Sequence, residues 1–380
     1  MRFYNHTHRF YCGVDLHART MYLVILDHAG QVVFDHNLAA NPTAFLAAIA
    51  PFRDDLVVAV ECLFCWYWLA DLCHDQNIAF VLGHALYMRA IYGAKTKDDK
   101  IDSEKIARLL RGGNLPYAYV YPKGLRETRD LLRRRMYLVR KRAELITHVV
   151  NTNTQYNLPP FGKKLMYARN RKELNILKRF TDPSVRANIA LDLRLLDTLD
   201  DLINDVELYL TRTVKVDQPQ QYYLLNTIPG VGKILALVLL YEIHDIRRFG
   251  DEGQFLSYAR LIRPLKRSSN KVVGGGGAKI GNAYLKWAFS EAACLLVRCS
   301  EQAKRYLARK EKKHGKAKAL GILAARLGRA VYQMLRRHEA FDAQRFWNGE
   351  PSGKSAAGRA AKAKGSTRSR AKVAGAFSKA

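Results

Sequence analysis

What this 380-residue chain lacks is acid: 34 Asp and Glu stand against 63 Lys and Arg, a formal net charge of +29. That imbalance is too large for an ordinary cytosolic enzyme and makes a polyanion the natural partner. Nucleic acid leads; an anionic membrane surface is the competitor, weakened because no basic amphipathic anchor stands out. No run approaches the roughly 20 apolar residues of a membrane span, and the start "MRFYNHTHRF" has no apolar signal core, so a cytoplasmic protein is expected. The six cysteines lack the dense spacing of a disulfide scaffold. Cys62, Cys65, Cys73 and His74 in "ECLFCWYWLADLCH" invite a zinc reading, yet they sit in an apolar helical run without a second ligand pair on its own turn. Buried thiols are expected instead.

What is present is enough apolar residue, 48%, for real cores, in an order that changes along the chain. "FYCGVDL", "MYLVILD" and "QVVFDHN" read as three short strands of an antiparallel meander. A helix follows at "NPTAFLAAIAPF", with Asn41 as N-cap and Pro42 at its first turn. Then come a buried-type strand 56–61, a helix through Trp66 and Leu72, a strand 78–82 and a helix "SEKIARLL" ending at Gly112 and Gly113. This order predicts a mixed α/β, ribonuclease-H-like (RuvC-like) domain over 1–121.

Residues 122–216 read differently, as a helical coiled-coil arm. Leu125, Leu132, Val139 and Ile146 recur seven apart among dense Arg and Lys, and a second long helix is expected from about Val185 to Val214. The first of these helices also offers a basic face to phosphate. A mainly α-helical block, 217–348, opens on "IPGVGK" before an apolar helix, a helix-hairpin-helix-like turn whose glycines and Lys233 suit a phosphate. Residues 349–380 form a basic, low-complexity tail, expected to be disordered.

Against this basic background the acids of "AKTKDDKIDSEKIARLL" require a reason: they cap a helix or they hold a metal. A ribonuclease-H-like nuclease takes carboxylates from its first strand, a neighbouring strand and a late helix to hold two Mg²⁺. Asp15 ends the first strand, and Glu61 ends the otherwise apolar "LVVAVE", where an ionised side chain is costly without a cation. With a helix starting near Asp99, the residues Asp99, Asp102, Ile106 and Leu109 share one stripe, so that Asp99 and Asp102 face the sheet. Asp98 and Glu104 then face solvent or the helix N-terminus. Lys95, Lys97 and Lys100 read as phosphate contacts at the rim.

With these four carboxylates assembled, the chain resembles the DEDD insertion-sequence transposases, the family of the Piv-type invertases and the bridge-RNA-guided recombinases. "GVDLH", "VAVE", "KDDKID", "IPGVGKILA", "FLSYARLIRP" and "IGNAYLKWAFSEAA" occur in the family's order. The resemblance implies Asp15, Glu61, Asp99 and Asp102 as ligands of Mg²⁺ and a nucleophilic serine after the "ARLIRP" turn. That serine is Ser269, with Ser268 as the alternative. Arg260 stands where the family commonly has Gly, and Asn270 follows Ser269 instead of Gly. Lys266, Arg267 and Lys271 are placed to offset charge on a phosphate.

The resemblance also implies donor and target DNA, a structured noncoding guide RNA, a homo-dimer or tetramer, and association with the nucleoid when active. Two other readings stay open: an RNA-independent invertase or junction resolvase using water, and a non-catalytic nucleic-acid scaffold.

Overall fold

The computed structural model describes residues 2–91, 98–212, 218–262, 265–268, 271–275 and 280–348. Two units divide near residue 217. In the first, the strands are β1 (Phe3–Tyr4), β2 (Phe10–Leu16), β3 (Thr20–Asp27), β4 (Val32–Ala39), β5 (Leu56–Glu61), β6 (Ala79–Gly83) and β7 (Leu115–Pro116). Its helices include α1 (Pro42–Ile49), α2 (Tyr67–Asp75), α3 (Ala85–Ile91), α4 (Asp99–Arg111) and α5 (Leu125–Gln155). Five strands form one mixed sheet in the order β4-β3-β2-β5-β6. The β2-β3-β4 meander is antiparallel, while β5 and β6 continue parallel to β2. The small β1–β7 pair had no signal in the sequence.

Both faces of the sheet are covered, which explains why β2 and β5 read as nearly unbroken apolar runs. One face, with Cys12, Val14, Leu23, Val58 and Val60, packs with Phe45, Ile49, Leu69 and Cys73 of α1 and α2. The other, with Tyr11, Val24, Val57 and Ala59, receives Ile106, Ala107 and Leu110 of α4. Asn41 caps α1 by accepting from the Ala44 amide at 2.8 Å, with Pro42 in the first turn. Asp98 caps α4 in the same way through the Lys100 amide at 3.2 Å, and Gly113 at φ +67° carries the chain out of it.

At the start of β2 the chain is tied to the residues that lead into β5. His8 Nδ1 lies 2.6 Å from Asp55 Oδ1, and the Arg9 amide donates to Asp55 Oδ2 at 2.9 Å. The His8 hydrogen bond holds the Asp55 carboxyl below its ordinary range, against a smaller opposing effect of desolvation. A depressed carboxyl contributes stability above the ordinary carboxylate range, and that contribution is lost as pH falls through the depressed value. Asp55→Asn should therefore destabilise by less than about 1 kcal/mol at pH 7, Asp55 being half-exposed. The gap from wild type should close in acid melts; a constant gap across pH would disprove the linkage.

The arm is an antiparallel helix pair, α5 against Pro183–Arg212. Three cross-pairs, Arg135 with Glu207, Arg142 with Asp200 and His148 with Asp192, run in opposite directions along the two helices. The acids of the returning helix thus take up Arg135 and Arg142 of the basic face expected to meet phosphate. The seam also departs from the heptad: Leu132, Met136 and Val149 are buried, whereas Val139 and Ile146 are only half-buried. At its base, the Arg126 guanidinium is buried against the Trp66 and Tyr67 rings and pairs with Asp71.

The second unit is mainly helical. "IPGVGK" links the helices Pro219–Asn226 and Lys233–Ile243, and Gly230 is required there on two counts. It sits at φ +86°, and a Cβ would lie 2.8 Å from the Leu295 carbonyl carbon. Asn282 caps the helix Ala283–Cys299 and donates to the buried Glu242 at 2.7 Å. Strands β8 (Leu265–Ser268) and β9 (Lys271–Gly275) pair antiparallel, with Ser268 opposite Lys271. Among the described residues no helix is long and apolar enough to cross a membrane. Residues 349–380, read from sequence as a disordered tail, lie outside the described residues.

Candidate metal centre

Strand register brings the two sheet carboxylates together. The parallel pairing of β2 with β5 sets Val14 beside Val60, so Asp15 and Glu61 follow at the carboxyl ends of adjacent strands. Both continue the alternation of Tyr11, Val57 and Ala59, the face covered by α4. The helix comes close enough to reach them because Gly13 has no side chain. A Cβ there would collide with the Ser103 carbonyl oxygen and lie 2.5 Å from the Ala107 amide nitrogen.

Ser103 fixes the height of α4 over the sheet. Its Oγ accepts from the Asp15 amide at 3.1 Å, and it lies 2.8 Å from both the Tyr22 and Asp99 carbonyl oxygens, where the single hydroxyl proton can be donated. The fully buried stripe is thus Ser103, Ile106, Ala107 and Leu110. Asp99 and Asp102 lie on its flank, not at its centre as the periodicity suggested. Asp99 is exposed and Asp102 half-buried.

His17 stands between the sheet and helix carboxylates. Its Nε2 is 3.4 Å from Asp15 Oδ2 and 3.4 Å from Asp99 Oδ1. One ligand atom from each of Asp15, His17 and Asp99 lies within 4.8 Å of the others, and this is the potential metal-binding group found among the described residues. Asp102 acts at longer range and is paired with Lys105 Nζ at 2.8 Å. Glu61 is half-buried at its strand end and stands outside that close group.

Asp15 is the electrostatic centre. Only 8% exposed, it is pushed above the ordinary carboxylate range first by burial. His17 opposes that shift, while Asp99 and Asp102 reinforce it. Among the described residues only His17 faces this buried carboxylate as a potential cation, and carboxylate oxygens joined by one imidazole suit a hard or borderline divalent ion. By this test the residues fit a metal.

The basic residues proposed from sequence divide. Lys100 pairs with Asp35, which also accepts from the Tyr22 hydroxyl at 2.6 Å, so this lysine braces α4 against β4. Lys233 is exposed at the first position of its helix. Lys95, Lys97 and Ser269 lie outside the described residues, as do the side chains of Lys266, Arg267, Ser268 and Lys271. Arg260 explains its own departure from glycine: it adopts φ +55° and holds the Gly281 carbonyl through Nε at 2.9 Å.

Another expectation fails nearby. Residues 62–66 are not helical, because α2 begins only at Tyr67, and Cys62 is exposed. Cys73 is in the core, and Cys65 Sγ donates to the Leu16 carbonyl at 3.0 Å. His17, Ser103 and Gly13 were missed by sequence reasoning. Only His17 left a trace, two residues after Asp15 in "DLH".

Comparison with known proteins follows the same division of the chain. Residues 12–157 match a family model for the IS110-type DEDD transposase, and residues 222–308 match the model described as "Transposase IS116/IS110/IS902 family". A relative in Coxiella burnetii, "Transposase for insertion sequence element IS1111A", is 23% identical over 338 residues. The match covers 87% of this chain and 90% of the relative.

Proposed function

The chain is an IS110-family DEDD transposase, a DNA-recombining enzyme, and from that premise we propose how its residues divide the work. Residues 1–121 act as a ribonuclease-H-like nuclease domain, 122–216 as a coiled-coil arm, 217–348 as the serine-bearing transposase domain with its helix-hairpin-helix-like turn, and 349–380 as a basic tail. Asp15, Glu61, Asp99 and Asp102 hold divalent metal, Mg²⁺ by the hardness of their oxygens, with His17 beside them. The observation that carries this reading is Asp15, buried beside Asp99 and Asp102 at the carboxyl end of β2.

When bound, the metal would supply charge neutralisation at the scissile phosphate. The protein's own residues do the rest. Ser103 and Gly13 set the height of α4, and thereby hold Asp99 and Asp102 over Asp15 and Glu61. Ser269, or Ser268 in its place, supplies the nucleophile. Its hydroxyl attacks a DNA phosphate, the phosphorus–oxygen bond to the leaving deoxyribose breaks, the serine proton ends on the released deoxyribose hydroxyl, and the phosphoserine diester keeps the bond available for rejoining. Lys266, Arg267, Lys271 and Lys233 offset phosphate charge, and a homo-oligomer brings serine and carboxylates together. The excess of basic residues supports a structured guide RNA as a further partner.

Trapping separates this from hydrolysis. Denatured complexes with the element's DNA ends should carry a covalent serine–DNA adduct. It should disappear when Ser268 and Ser269 are both changed to Ala. Strand joining by that double variant, with no adduct in wild type, would favour the water-using resolvase.

A further inference from the structure

An apolar tip follows the end of β5, just past Glu61. Phe64 is 81% exposed and Leu63 41%, in a chain whose other aromatics beside this sheet are mostly packed. The segment that carries them is anchored on each side. The Cys62 amide donates to the Gly83 carbonyl at 2.9 Å, and the Leu63 amide turns back to the Glu61 carbonyl at 2.8 Å. On the far side, Cys65 Sγ donates to the Leu16 carbonyl, and Trp66 is buried beside the Arg126 guanidinium. Its anchors are therefore the residues next to Asp15 and Glu61, and the tip stands three residues from Glu61.

An exposed Phe on a held turn offers its ring to solvent without the freedom of a floppy loop, a surface ready for a stacking partner. Three observations identify that partner's chemistry. The chain carries +29, Arg129 and Arg133 lie within electrostatic range of Cys62 at the tip's base, and the strands that anchor the tip carry Asp15 and Glu61, where the proposed reaction takes a DNA phosphate. A π-face offered next to a phosphate-binding site suits a nucleobase, which stacks whatever its sequence.

We propose that Phe64, backed by Leu63, is a DNA-unstacking wedge that inserts beside the scissile phosphate and takes the stacking place of a neighbouring base. This rests on the reading of Asp15 and Glu61 as the reaction centre. The wedge lowers the cost of opening the duplex at the point where strands must separate to be exchanged.

The test uses full-length protein and two short synthetic duplexes, one fully paired and one with a three-nucleotide mismatch flanked by 2-aminopurine. Binding is followed by anisotropy and by 2-aminopurine emission. Wild type should prefer the mismatched duplex by about ten-fold, as one base–aromatic stack allows. Phe64→Ala should remove that preference with little change on paired DNA, and Phe64→Trp should keep it. Preference retained by Phe64→Ala, or absent from wild type, overturns the proposal. So does a Phe64→Ala protein that weakens on both duplexes alike or changes its oligomeric state, since the tip would then dock on protein. If Asp15→Asn exchanged strands normally, the assignment of the reaction centre would fail while the binding preference measured across the Phe64 variants still stood.

Discussion

Asp15→Asn should lower strand transfer by about 10³-fold or more, while leaving the metal-free protein at least as stable as wild type. These two effects come from one cause. Asp15 is buried among carboxylates, so its charged form is the costly one, and among the described residues the His17 imidazole opposes that cost. A carboxyl whose folded value is raised binds more protons in the native state than in the unfolded state. Stability therefore falls as pH climbs from the ordinary carboxylate range through the raised value. Asn has the same shape without the charge and escapes that loss. Above the window, the metal-free variant should melt at the same temperature as wild type or higher. Adding Mg²⁺ or Mn²⁺ should raise the melting temperature of wild type and leave the variant nearly unmoved, because only a ligand that binds the native state shifts its stability. A variant that transfers strands at more than a tenth of the wild-type rate would remove Asp15 from the reaction. One that melted lower without metal would mean that the carboxylate is a structural partner of His17.

How this centre was legible in sequence, and where legibility stopped, follows from the range of the forces involved. Asp15 and Glu61 were picked out in sequence because each interrupts a strand whose other residues are apolar, and the register sets them at the ends of adjacent strands. Asp99 and Asp102 were found by helical spacing, and Asp98 was recognised as outside their stripe; it caps the helix. The stripe itself was rotated by about one residue. Ser103, a polar residue, occupies the buried centre because it bridges Asp15, Tyr22 and the helix backbone. A hydroxyl satisfied by tertiary partners looks the same in sequence as a solvated one.

The same limit explains the run at 62–66. Its apolar residues suggested helix, and Trp66 is indeed buried, but Leu63 and Phe64 are carried outward by anchors on Gly83 and Leu16 that are remote in sequence. In the arm, the spacing of leucines gave both helices and their pairing. It gave no hint that Asp200 and Glu207 of the second would pair with Arg142 and Arg135 of the first. Charge counted along one helix overstates what it offers a phosphate when its partner supplies acids at matching positions.

Gly13→Ala should be the most disruptive small substitution in the first unit, and it damages fold and chemistry together. The added methyl meets the backbone of α4, the Ser103 carbonyl oxygen and the Ala107 amide nitrogen, so no rotamer change can relieve the contact. Either α4 lifts by on the order of 1 Å or β2 sinks into the opposite core of Val14, Val58 and Val60. Overpacking of this kind costs about 1 to 3 kcal/mol. Lifting α4 also stretches the Asp15 amide to Ser103 contact and carries Asp99 away from His17 and Asp15. A displacement of that size in a positioning element lowers turnover by about 10²-fold. Melting should therefore show a loss in stability, and the divalent-cation shift of the melting temperature should shrink in parallel with strand transfer. Gly321→Ala is the internal comparison. It lies in the helix Lys316–Arg337 with nothing within 4 Å of the new methyl, and there alanine should stabilise by roughly 0.5 to 1 kcal/mol. If Gly13→Ala behaved like Gly321→Ala, the close approach of α4 to β2 would not be what holds the helix carboxylates over the sheet.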